Sequence, residues 1–176
     1  NLNYVEDNGF NYTYGGKGNP IIVLHGLMGG LGNFKKFLEK FPNLGYQVFM
    51  PELPIYSSSL LDTNVKFFAK YINNFINFLG LKNVILVGNS LGGHVALVHA
   101  KLFPSQTKAL VLTGSSGLYE NAMGDTYPRR GDYEFIKKKT EDVFYSPDVA
   151  TKEVVDEVFE SVNDRKKVLK ILAVAK

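Results

Sequence analysis

The chain has 176 residues, of which 45% are hydrophobic and 13% aromatic, and its formal net charge is +3. This composition supplies one core of ordinary size and excludes disordered and collagen-like chains, while so small and dispersed a charge argues against a nucleic-acid partner. The chain contains no cysteine, which excludes disulfides, thiolate nucleophiles and cysteine-based zinc sites. No apolar run approaches the roughly 20 residues of a membrane span, so we expect a soluble, cytoplasmic protein.

The chain opens with a predicted β-hairpin. Two short strand-like runs, 2–6 and 10–14, are joined by Asp7-Asn8-Gly9, a turn sequence suited to positive φ. Four compact apolar runs follow along the chain, and none of them alternates with polar residues, which is typical of strands buried on both faces. These four runs cover residues 21–24, 47–50, 84–87 and 109–112.

Helical patterns lie between the predicted strands. In the clearest one, over 65–79, apolar residues recur at three- and four-residue steps, and we expect Asp62 to cap its start and Gly80 to end it. Buried strands that alternate with amphipathic helices indicate a parallel sheet, since parallel neighbours require a crossover connection. The predicted fold class is therefore α/β, with a mostly parallel, doubly wound sheet that opens with an antiparallel hairpin.

The density of charged residues changes near Gly117. Residues 1–117 hold 14 charged side chains, and the remaining 59 residues hold 23 with helical spacing. We therefore predict a sheet-containing core over 1–117 and, over 118–176, helices that cover an apolar surface. A calmodulin-type or membrane-surface helix is the alternative, because 137–139 and 165–167 are basic runs, although acidic residues neighbour both.

A glycine-flanked serine follows the third apolar run. Gly88-Asn89-Ser90-Leu91-Gly92 has the pattern G-x-S-x-G and stands between a predicted strand and a helix-compatible run, the context in which the pattern indicates a nucleophile. A serine at such a turn has a strained backbone and an outward-pointing hydroxyl, and the two glycines let strand and helix pass closely. The helix that follows would direct its unpaired N–H groups at the position of an oxyanion. Ser90 is therefore the candidate nucleophile.

A glycine-rich loop follows the first apolar run. It covers residues 25–32 and contains four glycines. Ligands of open α/β sheets bind at the carboxyl ends of the strands, so this loop could offer a backbone N–H to the same oxyanion. A plain flexible connection and a phosphate cradle are the alternatives, whereas a P-loop is excluded because no Gly-Lys-Ser/Thr follows.

Together these features resemble the α/β-hydrolase superfamily over almost the whole chain. The resemblance rests on the opening hairpin, on His25-Gly26-Leu27 after one buried strand, on the Ser90 motif after another, and on a charged helical insertion after the next. Within the superfamily, the chain is most similar to the small bacterial serine hydrolases that include esterases and the carbon–carbon bond hydrolases of aromatic degradation. Ser rather than Asp at position 90 argues against haloalkane dehalogenases and epoxide hydrolases, whose covalent chemistry uses a carboxylate.

The resemblance implies a role for each matching residue. Ser90 would form an acyl-enzyme with a small acyl ester or related carbonyl substrate, and the backbone N–H groups of Leu27 and Leu91 would form the oxyanion hole. Gly26 and Asn33 would contact the substrate, Asn33 by its match with a pocket residue of the carbon–carbon bond hydrolases. The helical insertion would form a lid whose apolar inner face selects the substrate. No metal and no organic cofactor is expected.

The general base of such a triad is not evident. In the family, the chain order is Ser, acid, His, so the base is expected downstream of the insertion, whereas the three histidines are His25, His94 and His99. We interpret His25 as a residue that organises its loop and His99 as a packing residue. His94 lies four residues past Ser90 on the same predicted helix, which is a poor position for a base because Ser90 is turned out of that helix.

The acid residue of the triad is not evident from the sequence either. Glu120 and Asp125 stand where some hydrolases place it, but the commoner position follows a later strand, and the chain stops at Lys176 before any such strand. The run 109–112 would also be left as a long apolar sheet edge, so we expect the catalytic Asp and His in sequence beyond Lys176. Two other functions use the same residues: a non-catalytic hydrolase-like protein that binds a small ligand, and acyl transfer to an acceptor other than water.

Overall fold

The fold is built on one six-stranded mixed sheet. In the computed structural model, which describes residues 2–27, 31–116 and 129–174, the strand order is β1-β2-β4-β3-β5-β6. β2 pairs antiparallel with β1 and β4, and the other neighbours pair parallel, as predicted for an α/β sheet with an opening hairpin. The strands are β1 (Asn3–Asp7), β2 (Phe10–Gly16), β3 (Asn19–Leu24), β4 (Tyr46–Pro51), β5 (Val84–Ser90) and β6 (Thr107–Ser115).

The hairpin turn has the backbone that its sequence predicts. Asp7 pairs with Phe10, so the loop has two residues, Asn8 at φ 48° and Gly9 at φ 80°. Two-residue loops with positive φ at both positions match the twist of the flanking strands, and Asn-Gly adopts them at low cost. A Cβ on Gly9 would meet no atom within 4 Å, so the conformation and not the available space requires glycine there.

The chain divides into two compact units, Asn1–Tyr119 and Glu120–Lys176. None of the helices in the described ranges has the length and hydrophobicity that a membrane crossing requires. The first unit contains α1 (Leu31–Lys40), α2 (Val65–Phe78) and α3 (Leu91–Leu102), and the second contains α4 (Tyr133–Glu141), α5 (Lys152–Asn163) and α6 (Arg165–Val174).

The N-terminus of α2 has a different cap from the one predicted. The side chain of Asn64 accepts a hydrogen bond from the Phe67 N–H at 2.9 Å, so Asn64 is the N-cap. The prediction of Asp62 is wrong, because its carboxylate accepts a hydrogen bond from the Ser59 hydroxyl at 2.9 Å instead. Gly80, at φ 64°, follows the helix as predicted, since a left-handed residue commonly ends a helix.

Helices cover both faces of the sheet. On one face, α1 packs on alternate residues of β3, β4 and β5. On the other face lies Phe75 of α2, which is fully buried and whose ring centroid is 5.3 Å from that of Phe10, 5.1 Å from Tyr12 and 6.4 Å from Phe49. The sheet is therefore doubly wound, as predicted. The buried cluster under α1 consists of Ile21, Val23, Phe34, Leu38, Val48, Met50 and Val87.

β6 is more exposed than its apolar sequence predicts. It pairs only with β5 among the described strands, and Val111 is 46% exposed although its partner Val87 is 4% exposed. The expectation that run 109–112 is buried on both faces is thus wrong for this part of the chain. Burial of a strand on both faces needs a layer on each side, and the described residues supply no such cover over Val111.

A polar contact and a ring contact join the first two helices of the second unit. The Tyr133 hydroxyl on α4 donates to Asp156 on α5 at 2.6 Å, and the Tyr133 ring packs edge-on against Phe159 at 5.2 Å. The same Asp156 carboxylate forms an ion pair with Lys152. Because Lys152 and, to a smaller extent, Tyr133 donate to Asp156, the pKa of that carboxyl is lowered.

Replacing Phe75 by Ala tests the core on the α2 face. We expect Phe75→Ala to lower the free energy of unfolding by about 3–5 kcal/mol, because it opens a cavity beside the three aromatic rings that Phe75 contacts. Chemical denaturation measures the loss. Asn74→Ala, which changes an exposed neighbour on the same helix, should shift the free energy by no more than about 0.5 kcal/mol. Equal losses in the two variants would contradict this packing.

Candidate active site

Ser90 stands at a sharp turn between β5 and α3. Its backbone has φ 52° and ψ −120°, and its side chain is exposed and makes no capping bond to α3. A positive φ is costly for a residue with a Cβ, and the only other non-glycine residues in the described ranges that adopt it are Asn8 and Asn83. The turn predicted for Ser90 is therefore present.

Glycines let β5, β3 and α3 approach backbone to backbone. A Cβ on Gly88 would lie 2.5 Å from the Gly92 oxygen, and a Cβ on Gly92 would overlap the Leu24 carbonyl at the end of β3. One on Gly93 would lie 2.5 Å from the Ser115 hydroxyl oxygen. No side chain fits between these segments, so the first turn of α3 is held directly against the carboxyl ends of β3 and β6.

The end of β6 supports the turn through hydrogen bonds that the sequence analysis did not find. The Asn89 amide donates to the Thr113 carbonyl oxygen at 2.6 Å and to its hydroxyl at 3.2 Å. The Ser116 N–H and hydroxyl donate to the Ser90 carbonyl at 3.1 and 3.3 Å. These bonds hold the Asn89 side chain before Ser90 and the peptide carbonyl of Ser90 itself. The change from apolar to polar residues after Leu112 is the sequence feature that could have indicated these bonds.

Gly26, in the described part of the glycine-rich loop, lies beside Ser90, as its position after β3 predicts. A Cβ on Gly26 would lie 3.3 Å from the Ser90 Cβ and 3.8 Å from its hydroxyl oxygen, so the Gly26 backbone is a close neighbour of the candidate nucleophile. Leu27 follows directly, and its carbonyl accepts a hydrogen bond from the Tyr56 hydroxyl at 3.1 Å. The structure thus places Gly26 next to the Ser90 side chain, with Leu27 as the following residue.

The N-terminus of α3 also lies at the Ser90 turn. Leu91 is its first residue, and the first N–H groups of an α-helix have no acceptor within the helix. The hydroxyl of Ser90 does not cap them. These amides, together with the helix dipole, are suited to bind a developing negative charge. The oxyanion roles of Leu27 and Leu91 stay predictions that this arrangement supports.

His25 bonds to two backbone groups. Its Nδ1 lies 2.7 Å from the Gly26 oxygen, and the Leu53 N–H donates to its Nε2 at 3.0 Å. Burial lowers the pKa of the ring, against the smaller opposing effects of the Gly26 hydrogen bond and the Glu52 charge. Both ring nitrogens are occupied, so His25 is not free to act as a base on Ser90. It organises its loop, as interpreted from the sequence.

Within the described residues, neither of the other two histidines is hydrogen-bonded to Ser90. His99 is fully buried at the far end of α3, with Nε2 3.0 Å from the Gln106 side-chain oxygen and Nδ1 3.4 Å from the Thr107 hydroxyl. Burial lowers its pKa, and the Gln106 hydrogen bond opposes this effect. His94 is half-buried, and within the described residues no hydrogen bond links it to Ser90. The described part of the chain therefore places no histidine as a base.

The remaining candidate residues are not tested by this geometry. Asn33 is exposed on the first turn of α1, and its substrate contact stays a prediction. Glu120 and Asp125 lie outside the described residues, and so do residues 28–30 of the glycine-rich loop.

Replacing Gly92 by Ala tests the close approach of α3 to β3. We expect Gly92→Ala to lower the free energy of unfolding by about 3 kcal/mol, at the upper end of the usual cost of overpacking, because the new methyl group would overlap the Leu24 carbonyl. Gly131→Ala is the control, since a Cβ there meets nothing within 4 Å, and it should change stability by no more than about 0.5 kcal/mol. Denaturant titration of both proteins measures the difference, and similar stabilities would argue against the contact.

The sequence matches known proteins over the same elements. The model of the α/β hydrolase fold family matches residues 19–146. A solved α/β hydrolase enzyme from the metagenome of sediments of the Mar Chica lagoon in Morocco is 45% identical with a TM-score of 0.76, and the match covers 98% of this chain and 64% of that chain.

Two curated relatives match over shorter segments. The 2-hydroxy-6-oxononadienedioate/2-hydroxy-6-oxononatrienedioate hydrolase of Comamonas testosteroni is 33% identical over 125 residues, which are 66% of this chain and 43% of that protein. The 2-hydroxy-6-oxo-6-phenylhexa-2,4-dienoate hydrolase of Burkholderia cepacia is 33% identical over 110 residues, which are 58% of this chain and 38% of that protein. The chain thus spans less than half the length of these two relatives. Because the family model covers most of its residues, including the β5–Ser90–α3 turn, the chain belongs to the α/β hydrolase fold family.

Proposed function

We propose that Ser90 is the nucleophile of a hydrolase that cleaves small carbonyl substrates through a covalent acyl-enzyme. The observation that carries the proposal is the backbone of Ser90, whose φ of 52° at the end of β5 leaves the side chain exposed beside Gly26. Strained residues that the surrounding structure over-determines are concentrated at functional sites. Here the surrounding bonds hold the strained residue without using its hydroxyl, which leaves that group available for attack.

The substrate is proposed to be a small molecule with an electrophilic carbonyl carbon. The names of both curated relatives contain a 6-oxo group, which is a ketone, in a carboxylic acid. Attack by a serine hydroxyl on a ketone or on an ester gives the same kind of tetrahedral oxyanion, and the same two amides would stabilise it. Collapse to the acyl-enzyme breaks the carbon–oxygen bond of an ester, whose alcohol takes the proton, or the carbon–carbon bond beside a ketone, whose departing carbon takes the proton, and water then releases the acid. We therefore place oxo acids of this kind ahead of simple carboxylic esters as candidate substrates.

Two amides from separate segments would bind that oxyanion. The Leu91 N–H comes from the start of α3 and the Leu27 N–H from the glycine-rich loop. Loss of one such donor typically lowers kcat by about 10²–10³-fold, so the pair would supply a large part of the rate enhancement. The predicted substrate contacts of Gly26 and Asn33 belong to the same proposal, as does a lid formed by 118–176.

The hydroxyl needs a base before it can attack. A serine is a weak nucleophile until a neighbouring group accepts its proton. His25 and His99 are hydrogen-bonded to other groups, and within the described residues no hydrogen bond joins His94 to Ser90. We propose that the base and its acid partner lie outside the residues described, as the order of the triad in this family implies.

A second candidate function is ligand binding without turnover. The observation that favours it is the absence, within the described residues, of a histidine bonded to Ser90. A pocket with oxyanion donors and no base would bind a small carbonyl compound or carboxylate and leave it unchanged.

Fluorophosphonate labelling of the full gene product distinguishes the two functions. A nucleophilic serine in such a site reacts covalently with the probe, so we expect Ser90→Ala to abolish labelling detected by intact-protein mass spectrometry. Ser105→Ala, at an exposed serine between α3 and β6, should label like the wild type. Equal labelling of wild type and Ser90→Ala would remove Ser90 from its role, and an unlabelled wild type that binds an oxo acid would favour the non-catalytic function.

A further inference from the structure

We propose that His25 is a positioning residue for the oxyanion hole: its Nδ1–H holds the Gly26 carbonyl and thereby orients the peptide unit that presents the Leu27 N–H. The inference rests on the proposed function of Ser90 and adds a residue to its machinery. It is carried by two hydrogen bonds of the His25 ring and by the contact of Gly26 with Ser90.

The partners of the ring fix its protonation state. A backbone N–H can only donate and a backbone carbonyl can only accept, so the Leu53 N–H requires a lone pair on Nε2 and the Gly26 oxygen requires a proton on Nδ1. The ring is therefore neutral, with its proton on Nδ1. Burial favours the same form, since it disfavours the charged ring.

The peptide unit connects this bond to the oxyanion. The Gly26 carbonyl and the Leu27 N–H belong to one planar trans peptide unit, in which the C=O and N–H bonds point in opposite directions. When His25 holds the carbonyl on one side, the N–H is directed to the other. A hydrogen bond to the carbonyl also polarises the amide and strengthens its N–H as a donor, so His25 acts on both the direction and the strength of the predicted contact.

The ring is itself anchored by the segment that follows β4. Leu53, whose N–H holds Nε2, is buried, and three residues later Tyr56 donates to the carbonyl of Leu27. The segment thus restrains the glycine-rich loop at two consecutive carbonyls, one through His25 and one directly. Glycine-rich backbone has many accessible conformations, so these restraints decide which one the loop adopts.

This arrangement predicts a dependence on pH. Protonation of His25 would put a hydrogen on Nε2 facing the Leu53 N–H, and the bond between them would be lost. The pKa of His25 is lowered by burial, and the Glu52 carboxylate is the charged group whose field raises it. The Gly26 carbonyl is therefore held by His25 above that lowered pKa, and reactivity should fall as the pH drops through it.

The kinetic test compares three variants in the full gene product. His25→Leu removes both hydrogen bonds of the ring and should lower the rate of Ser90 labelling, or the kcat, about 10–100-fold. KM should change less than about threefold, because an oxyanion donor acts mainly in the transition state. His25→Asn keeps a donor near the Nδ1 position and should recover part of the loss. His99→Leu, the same change at the buried histidine far from Ser90, should keep the wild-type rate even if it lowers stability.

A wild-type rate in folded His25→Leu would overturn the positioning role while leaving Ser90 as the nucleophile. NMR supplies a readout that does not need turnover: the ring ¹⁵N shifts should show the Nδ1–H form, and the Leu27 amide signal should move with the titration of His25 and in His25→Leu. A proton on Nε2, or a Leu27 amide unaffected by both changes, would also overturn it. A wild type without any Ser90-dependent reaction would instead count against the proposed function, and the NMR result then decides the role of His25 alone.

Discussion

The site depends on a close approach of three backbone segments that only glycine permits. Gly88 at the end of β5 and Gly92 in α3 have no room for a Cβ, and the atoms that would be overlapped are themselves backbone, including the Leu24 carbonyl of β3. Backbone atoms cannot move aside as a flexible side chain can, so the positions of β3, β5 and α3 are fixed relative to one another. Ser90 lies at the point where these segments meet, and its unusual φ follows from the sharp change of direction between strand and helix.

Strain of this kind persists only when neighbouring groups maintain it. A residue in a sparsely populated backbone region costs on the order of 1–3 kcal/mol. At Ser90, the end of β6 opposes this cost through the bonds from Asn89 to Thr113 and from Ser116 to the Ser90 carbonyl. All of these bonds involve groups other than the Ser90 hydroxyl, so the described scaffold holds the turn without using that hydroxyl.

Two histidines of this chain show how position decides the role of a side chain. His99 is fully buried and His25 is half-buried, both have lowered pKa values because of desolvation, and both use the two ring nitrogens. His99 bonds to the side chains of Gln106 and Thr107 at the amino end of β6, where it joins α3 to the sheet. His25 bonds to backbone groups at the carboxyl end of β3, beside the candidate nucleophile. The chemistry of the ring is the same in both places, and only the neighbouring backbone gives His25 a connection to the site.

Features that depend on local backbone preferences and on hydrophobic periodicity could be predicted from the amino-acid sequence. These are the α/β class, the two-residue turn at Asn8-Gly9, the end of α2 at Gly80 and the strand–turn–helix around Ser90. The three-dimensional fold sets which distant groups meet: the Leu53 N–H reaches His25 from 28 residues away, and Asn89 bonds to Thr113 from 24 residues away. It also decided the exposure of β6, because burial depends on the layers that other segments place over a strand. Local sequence specifies the backbone conformation of a few neighbouring residues. Hydrogen-bond partners and burial are set by contacts between segments that are distant in the chain, and their sequence separation does not reveal how close they lie in space.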